Sequence, residues 1–167
     1  MTKPTVGALL EKITRIIPGI AGYQDRENRR DADLAVRTKA AAEVARCKAR
    51  LAEAMNDLSR SGGMRNLRAV GGLERIVTRL EGLEDEIRYA PSGYAGWFDR
   101  TGITLEDLER LYEVDLLLLE TAEGLAGLVG EVTAVGTDQD WTEDLEKGIV
   151  RVREIFEGRR ETMEGND

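Results

Sequence analysis

Apolar residues recur along this chain at spacings of three and four positions, the period that places side chains on one face of an α-helix. The first such stretch runs from Pro4 to Ile17. Pro4 suits a first helical turn, and Pro18 cannot continue the helix. The pattern therefore predicts a short amphipathic helix within residues 1–17.

Four longer stretches with the same period follow. Their predicted bounds are about Tyr23 to Arg60, Met64 to Tyr89, Thr104 to the break at Gly136, and Thr142 to Arg160. Short connections favour antiparallel neighbours, and no stretch alternates apolar and polar residues with a period of two. We therefore predict an all-α fold with one domain over residues 1–167. Residues 18–160 would form an antiparallel four-helix bundle of long helical hairpins, and residues 161–167 a tail.

The second predicted helix is longer than a compact bundle requires. At a rise of about 1.5 Å per residue, the helix from Tyr23 to Arg60 spans roughly 55 Å. Its apolar stripe from Val36 to Leu58 has spacings of four and three, close to those of a coiled-coil seam. We expect part of this helix to project from the bundle with its seam exposed.

One eight-residue phrase occurs twice, each time between predicted helices. Residues 19–26 and 93–100 share the order Gly, bulky residue, Ala, Gly, aromatic, any residue, Asp, Arg. If successive helices alternate in direction, both copies lie at the same end of the bundle, which we call the connector end. The repetition predicts two connectors of the same kind at that end.

The connector end combines aromatic and arginine side chains, which are the residue types that anchor protein interfaces. The functional hypothesis is a partner-binding surface made of Tyr23, Arg26, Arg30, Tyr94, Trp97, Phe98 and Arg100. The structural alternative is favoured over it: the aromatics fill the end of the bundle, and the glycines make tight turns. A third interpretation is an anion site formed by backbone N–H groups of the glycine-rich turns.

Two aspartates stand on the apolar stripes of predicted helices. Asp33 lies three residues before Val36, and Asp115 lies between Leu111 and Leu118. Because an unpaired buried carboxylate is destabilising, we predict a buried ionic network that fixes helix register, made of Arg29, Asp33, Arg88 and Asp115. The less favoured alternative is acid–base or metal chemistry by the two carboxylates.

The residue types present restrict the chemistry. The chain has no histidine and one cysteine, Cys47, which lies on an apolar stripe. Hydroxyl and thiol groups therefore have no imidazole to activate them, and the commonest zinc ligand is missing. We predict no catalytic residue, no metal and no cofactor. The sequence has no secretory signal and no apolar run of bilayer length, so we expect a soluble, cytoplasmic protein of bacterial type.

The formal charge of -8 is unevenly distributed. Residues 1–100 carry 18 basic and 14 acidic side chains, a balance of +4, whereas residues 101–167 carry 6 and 18, a balance of -12. The acidic total excludes a general nucleic-acid binder, which needs a concentrated basic surface. The asymmetry favours attraction between the two halves of one chain or between two copies.

These observations favour a non-enzymatic protein-interaction or assembly module. It would bind a protein partner or a second copy through the connector end and the exposed seam of the second helix. One alternative is a peripheral membrane scaffold that binds a bilayer surface through residues 1–17, although packing of that helix on the bundle is favoured. The other is an anion-binding protein or enzyme that uses the Arg/Asp cluster.

Overall fold

The computed structural model describes residues 3–91, 95–135 and 141–164, and within these ranges it contains helices and no strands. The prediction of an all-α fold is therefore confirmed. The helices are α1 (Val6–Ile16), α2 (Arg29–Ser61), α3 (Met64–Arg88), α4 (Ala95–Asp99), α5 (Leu105–Val135) and α6 (Trp141–Glu164). The sequence pattern predicted five of these helices and missed the short α4.

Two helix bounds differ from the prediction for identifiable reasons. Helix α2 begins at Arg29 rather than Tyr23, because the backbone of Asp25 is extended (φ -90°, ψ 125°) and a 3-10 turn over Arg26–Asn28 precedes the helix. Helix α6 continues to Glu164, and its Met163 is buried. Residues 161–164 are thus the last turn of α6 rather than part of a tail.

The four long helices pack around one core. Helix α2 contacts α3 and α5, while α6 contacts α5 and α3. The two-residue turn Gly62–Gly63 reverses the chain between α2 and α3. Arg159, near the end of α6, bonds to Asp115, near the start of α5, so this pair also runs in opposite directions. The ends of α3 and α6 therefore lie near the starts of α2 and α5.

Helix α1 lies against α5. Its N-terminus is capped by the side chain of Thr5, which accepts a hydrogen bond from the backbone N–H of Ala8 at 3.4 Å. Leu9 and Ile13 are fully covered by the bundle. The apolar face that a membrane-binding role would need is therefore occupied by α5. None of the helices in the described ranges combines the length and hydropathy of a membrane span.

The free end of the α2–α3 hairpin extends beyond the core. No residue between Leu51 and Gly72 is fully buried, but Met55 and Leu58 pack partly against the core. The prediction of an exposed α2 seam was therefore wrong, because Val36 and Leu51 are buried and Leu58 contacts the core. We call residues 52–71 the projecting hairpin. At its end Met64 is 77% exposed and Leu67 is 64% exposed. We call residues 58–71, which include the turn, the hairpin tip.

Candidate functional site

A buried ionic network joins the ends of three long helices. Its centre is Arg159 of α6, which is 1% exposed. Arg159 donates from Nε to Oδ1 of Asp115 at 2.5 Å and from Nη1 to Oδ1 of Asp33 at 2.7 Å. Arg37 donates from Nε to the other oxygen of Asp33 at 3.0 Å, and the Tyr23 hydroxyl donates to Oδ2 of Asp115 at 2.5 Å. We call these five side chains the Arg159 network.

Burial and pairing perturb the proton affinities of this network in defined directions. Removal from water raises the pKa of Asp115, and the adjacent Arg159 guanidinium opposes that rise. Burial also raises the pKa of Tyr23, and the charge of Asp115 raises it further. Burial alone would lower the pKa of Arg159, but Asp115, Tyr23 and Asp33 raise it well above its usual value. The network thus holds a permanently charged guanidinium between two carboxylates.

The sequence led us to Asp33 and Asp115 but not to Arg159. The sequence nevertheless contained a pattern that indicates a buried arginine, because Arg159 continues the apolar stripe of α6 three residues after Phe156 and four before Met163. The reasoning that identified Asp115, a charge on an apolar stripe, applies to it equally.

The two arginines that we predicted as network members bond elsewhere. Arg29 donates to the backbone carbonyls of Tyr23, Phe98 and Arg100 at 3.0, 3.2 and 2.8 Å. Its guanidinium therefore fastens the loops of the connector end. The side chain of Arg88 pairs with Glu84, and only its backbone carbonyl reaches the network, accepting from Arg37 at 3.3 Å.

The described aromatics of the connector end lie inside the protein. Tyr23, Trp97 and Phe98 are all buried, and Tyr94 lies outside the described residues. Tyr23 and Trp97 meet edge to face, with ring centroids 5.9 Å apart. These three rings do not form the predicted partner-binding surface, because a partner cannot contact them in this conformation. They fill the end of the bundle, as the structural alternative described.

The predicted arginines of this surface remain at the periphery. Arg26 and Arg30 are exposed and face Asp99, at 3.8 and 3.2 Å. Arg30 also covers the Phe98 ring, at 5.5 Å from its centroid. Arg100 is exposed, and its carbonyl accepts from Arg29. These groups tie one connector to the other.

Where both copies of the repeated phrase are described, their backbone conformations differ. Gly22 has positive φ, and a Cβ at this position would collide with the Tyr112 hydroxyl. The matching residue of the second copy, Gly96, is helical within α4 and has open space around it. The aromatic positions of the two copies are Tyr23 and Trp97, and these rings are in contact. The prediction of two connectors of the same kind was therefore wrong, although the two copies meet.

The Arg159 network has the donors and acceptors of an acid–base site but no access. Asp115 and Arg159 are 0% and 1% exposed, and no network side chain lines the α3–α6, α2–α5 or α6 surface cavities that described residues form. Among the described side chains, no three Asp, Glu or Cys groups lie close enough to hold a metal ion. Burial raises the pKa of Cys47 to about 11, so this thiol is a poor nucleophile. The geometry is that of a structural lock between helices.

Two accessible features lie at the two ends of the α3 helix. At one end is the hairpin tip, where Arg60 and Arg68 flank the exposed Met64 and Leu67. At the other end is a groove of about 420 Å³ between the last turns of α3 and α6. The groove is lined by Glu86, Tyr89, Ala90, Pro91, Phe156, Glu157, Arg160 and Glu164. We call it the α3–α6 groove.

Comparison with known proteins gives no relative for this chain. No protein-family model, no curated protein and no solved structure matches it. The functional assignment therefore depends on the geometry alone.

Proposed function

We propose that this chain is a non-enzymatic protein-interaction module that binds its partner through the hairpin tip. The observation that carries the proposal is the projecting hairpin, in which residues 52–71 contain no buried side chain. Only Met55 and Leu58 of these residues pack partly against the core, yet ordering the whole segment opposes folding through lost conformational entropy. A contact with a partner would compensate for that loss.

The composition of the hairpin tip suits a protein interface. Met64 and Leu67 are two of the most exposed large apolar side chains of the described residues. Met and Arg are enriched at interfaces, where apolar groups become covered and guanidinium groups bond across the contact. Arg60 and Arg68 supply guanidinium groups beside the exposed apolar side chains, and no acidic residue lies between residues 58 and 73.

The turn at the end of the hairpin is held in one conformation. The side-chain amide of Asn66 donates to the carbonyl of Gly62 at 2.8 Å and to the hydroxyl of Ser61 at 3.0 Å. Gly62 and Gly63 adopt φ values of +70° and +98°, which other residues rarely adopt. A preorganised tip loses less entropy on binding than a flexible loop. The Arg159 network, at the far end of the bundle, locks the helices that support this tip.

This interaction belongs in a reducing compartment, and we assign it to the cytoplasm. The assignment rests on the single cysteine, Cys47, whose thiol is buried and unpaired. The acidic overall charge and the basic tip together favour a partner that presents an acidic, partly apolar surface.

The experiment that tests the proposed function is site-specific photocross-linking in cells that naturally express the protein. A photoreactive amino acid at Leu67 should give a discrete cross-linked protein band, and Arg68→Glu in the same chain should weaken it. Leu117, an apolar residue of α5 that is 42% exposed, is the matched control position. The proposal fails if Leu67 gives no more cross-linked product than Leu117.

A further inference from the structure

The α3–α6 groove has an apolar floor and an acidic rim. Phe156 is almost fully buried beneath it, and Tyr89 beside it is 73% exposed. Three glutamates and one arginine line the groove. Glu86 is paired with Arg153, and Glu164 lies 3.8 Å from Arg160, whereas Glu157 forms no ion pair within the described part of the chain.

The end of α6 adds to the negative potential of this groove. The last turn of α6 has no basic residue that faces its terminal carbonyl groups, and it contains Glu161 and Glu164 instead. Carboxylates at the C-terminal end of a helix face the negative end of its dipole, which is unfavourable unless a cation approaches. The groove therefore combines the exposed ring of Tyr89 with one carboxylate, Glu157, that has no ion-pair partner among the described residues.

The hairpin tip has the complementary character. Its Arg60 and Arg68 form no ion pair with any described residue. Met64 and Leu67 project between them, and two aliphatic side chains occupy less than the roughly 420 Å³ of the groove. Both halves of a complementary contact are thus present in one chain.

A single molecule cannot bring the two surfaces together. Helix α3 runs from Met64 at the tip to Arg88 beside the groove, a distance of about 37 Å at 1.5 Å per residue. The α2 helix, packed along α3, prevents the tip from folding back. A contact between tip and groove must therefore join two molecules.

We infer that the partner of the hairpin tip is a second copy of this chain, which receives the tip in its α3–α6 groove. This inference rests on the proposed function and specifies its partner. The tip and the groove are different surfaces, so the contact is heterologous and each added copy leaves one tip and one groove open. The chain then assembles head to tail, and because charge contributes to the contact, salt weakens it.

Mixing of complementary variants tests this inference in the purified full-length protein. The tip variant carries Leu67→Ser and Arg68→Glu, and the groove variant carries Tyr89→Ser and Glu157→Lys. All four side chains are exposed, so thermal unfolding should show that both variants remain folded. The control variant carries Leu117→Ser and Arg110→Glu on α5, at exposed residues that belong to neither surface.

Analytical ultracentrifugation supplies the readout. The wild-type protein and the control variant should exceed the monomer mass of 18.5 kDa as concentration rises, while each of the other two variants alone stays monomeric. An equimolar mixture of tip and groove variants should form a dimer and nothing larger, because only one intact tip and one intact groove can meet.

Other outcomes separate the inference from the function on which it rests. A mixture that stays monomeric, or a wild-type protein that is monomeric at every concentration, overturns the second-copy inference. If the Leu67 photocross-link then captures a different protein, the proposed function survives with another partner. If neither association nor a specific cross-link is found, both are wrong.

Discussion

Replacing Arg159 with methionine should test whether the Arg159 network locks the bundle. The substitution keeps an unbranched side chain of similar length but removes the guanidinium that bonds to Asp115 and Asp33. Asp33 retains Arg37, whose Nε and Nη2 lie 3.0 and 2.9 Å from its carboxylate. Asp115 retains only the hydroxyl of Tyr23. The substitution therefore leaves mainly Asp115, a fully buried carboxylate, without a compensating charge.

The expected loss is large relative to the stability of a typical domain. Removing one partner of a buried ion pair destabilises a protein by about 3–5 kcal/mol, because the remaining charge is left without compensation. Domains are commonly stable by about 5–15 kcal/mol. The Arg159→Met variant should therefore fold but unfold at a much lower urea concentration than the wild type.

The pH dependence of this loss has a definite sign. Burial already raises the pKa of Asp115, and removing Arg159 eliminates the charge that opposes this rise. A carboxyl group whose pKa is raised on folding contributes stability that is fully present below its unfolded pKa and is lost as the pH rises through its folded pKa. The deficit of the variant should therefore be greatest near neutral pH and shrink on acidification, as Asp115 takes up a proton.

Urea unfolding followed by circular dichroism, at about pH 7 and about pH 5, measures both effects. Arg153→Met is the matched control, since Arg153 lies on the same helix and forms a half-exposed ion pair with Glu86. Such pairs contribute about 0–1 kcal/mol. Adding Asp115→Asn to Arg159→Met should remove the pH dependence. Equal losses for Arg153→Met and Arg159→Met, or a deficit that grows on acidification, would refute the reasoning.

Three further predictions concern individual positions. Gly22→Ala should destabilise the fold by at least about 1–2 kcal/mol, because the φ of this residue is positive and a Cβ has no room. Gly82→Ala is the control, since this glycine is helical with open space around it, and it should stabilise the fold by up to about 1 kcal/mol in the same urea titration. Tyr23→Phe should lower stability by about 1–3 kcal/mol through loss of a buried hydrogen bond to a charged group, whereas Tyr89→Phe at the surface should change it by less than about 0.5 kcal/mol. Cys47 should react with a thiol reagent more than about 10³-fold faster in denaturant than in the native protein, and equal rates would contradict its burial.

The helical periodicity revealed most of the fold because each long helix buries one continuous apolar stripe. It could not reveal α4, whose five residues are too few to display a period. It also misplaced the start of α2, because the backbone of Tyr23 bonds to the side chains of Tyr112 and Arg29 instead of continuing a helix. A local pattern does not contain that information.

The candidate site was less predictable than the fold for a related reason. A charged residue on an apolar stripe shows that a buried partner is needed but not which residue provides it. Arg159 lies 126 positions after Asp33 in the sequence, so the local pattern around Asp33 could not identify it. The repeated phrase placed Tyr23 and Trp97 at one end, but residue type alone did not fix whether the rings face inward or outward. Exposure of Met64 and Leu67 follows from the length of α2 and α3 relative to the rest of the bundle, which is a property of the whole fold.

The most direct test of the account is disulfide trapping between the hairpin tip and the groove. A Leu67→Cys variant and a Tyr89→Cys variant are mixed under mild oxidation, with the native Cys47 protected by its burial. The account predicts a mixed disulfide dimer that forms faster than the one between Leu67→Cys and Leu117→Cys, and more slowly at high salt. Equal rates for the two mixtures would contradict the claim that the tip of one copy binds the groove of the next.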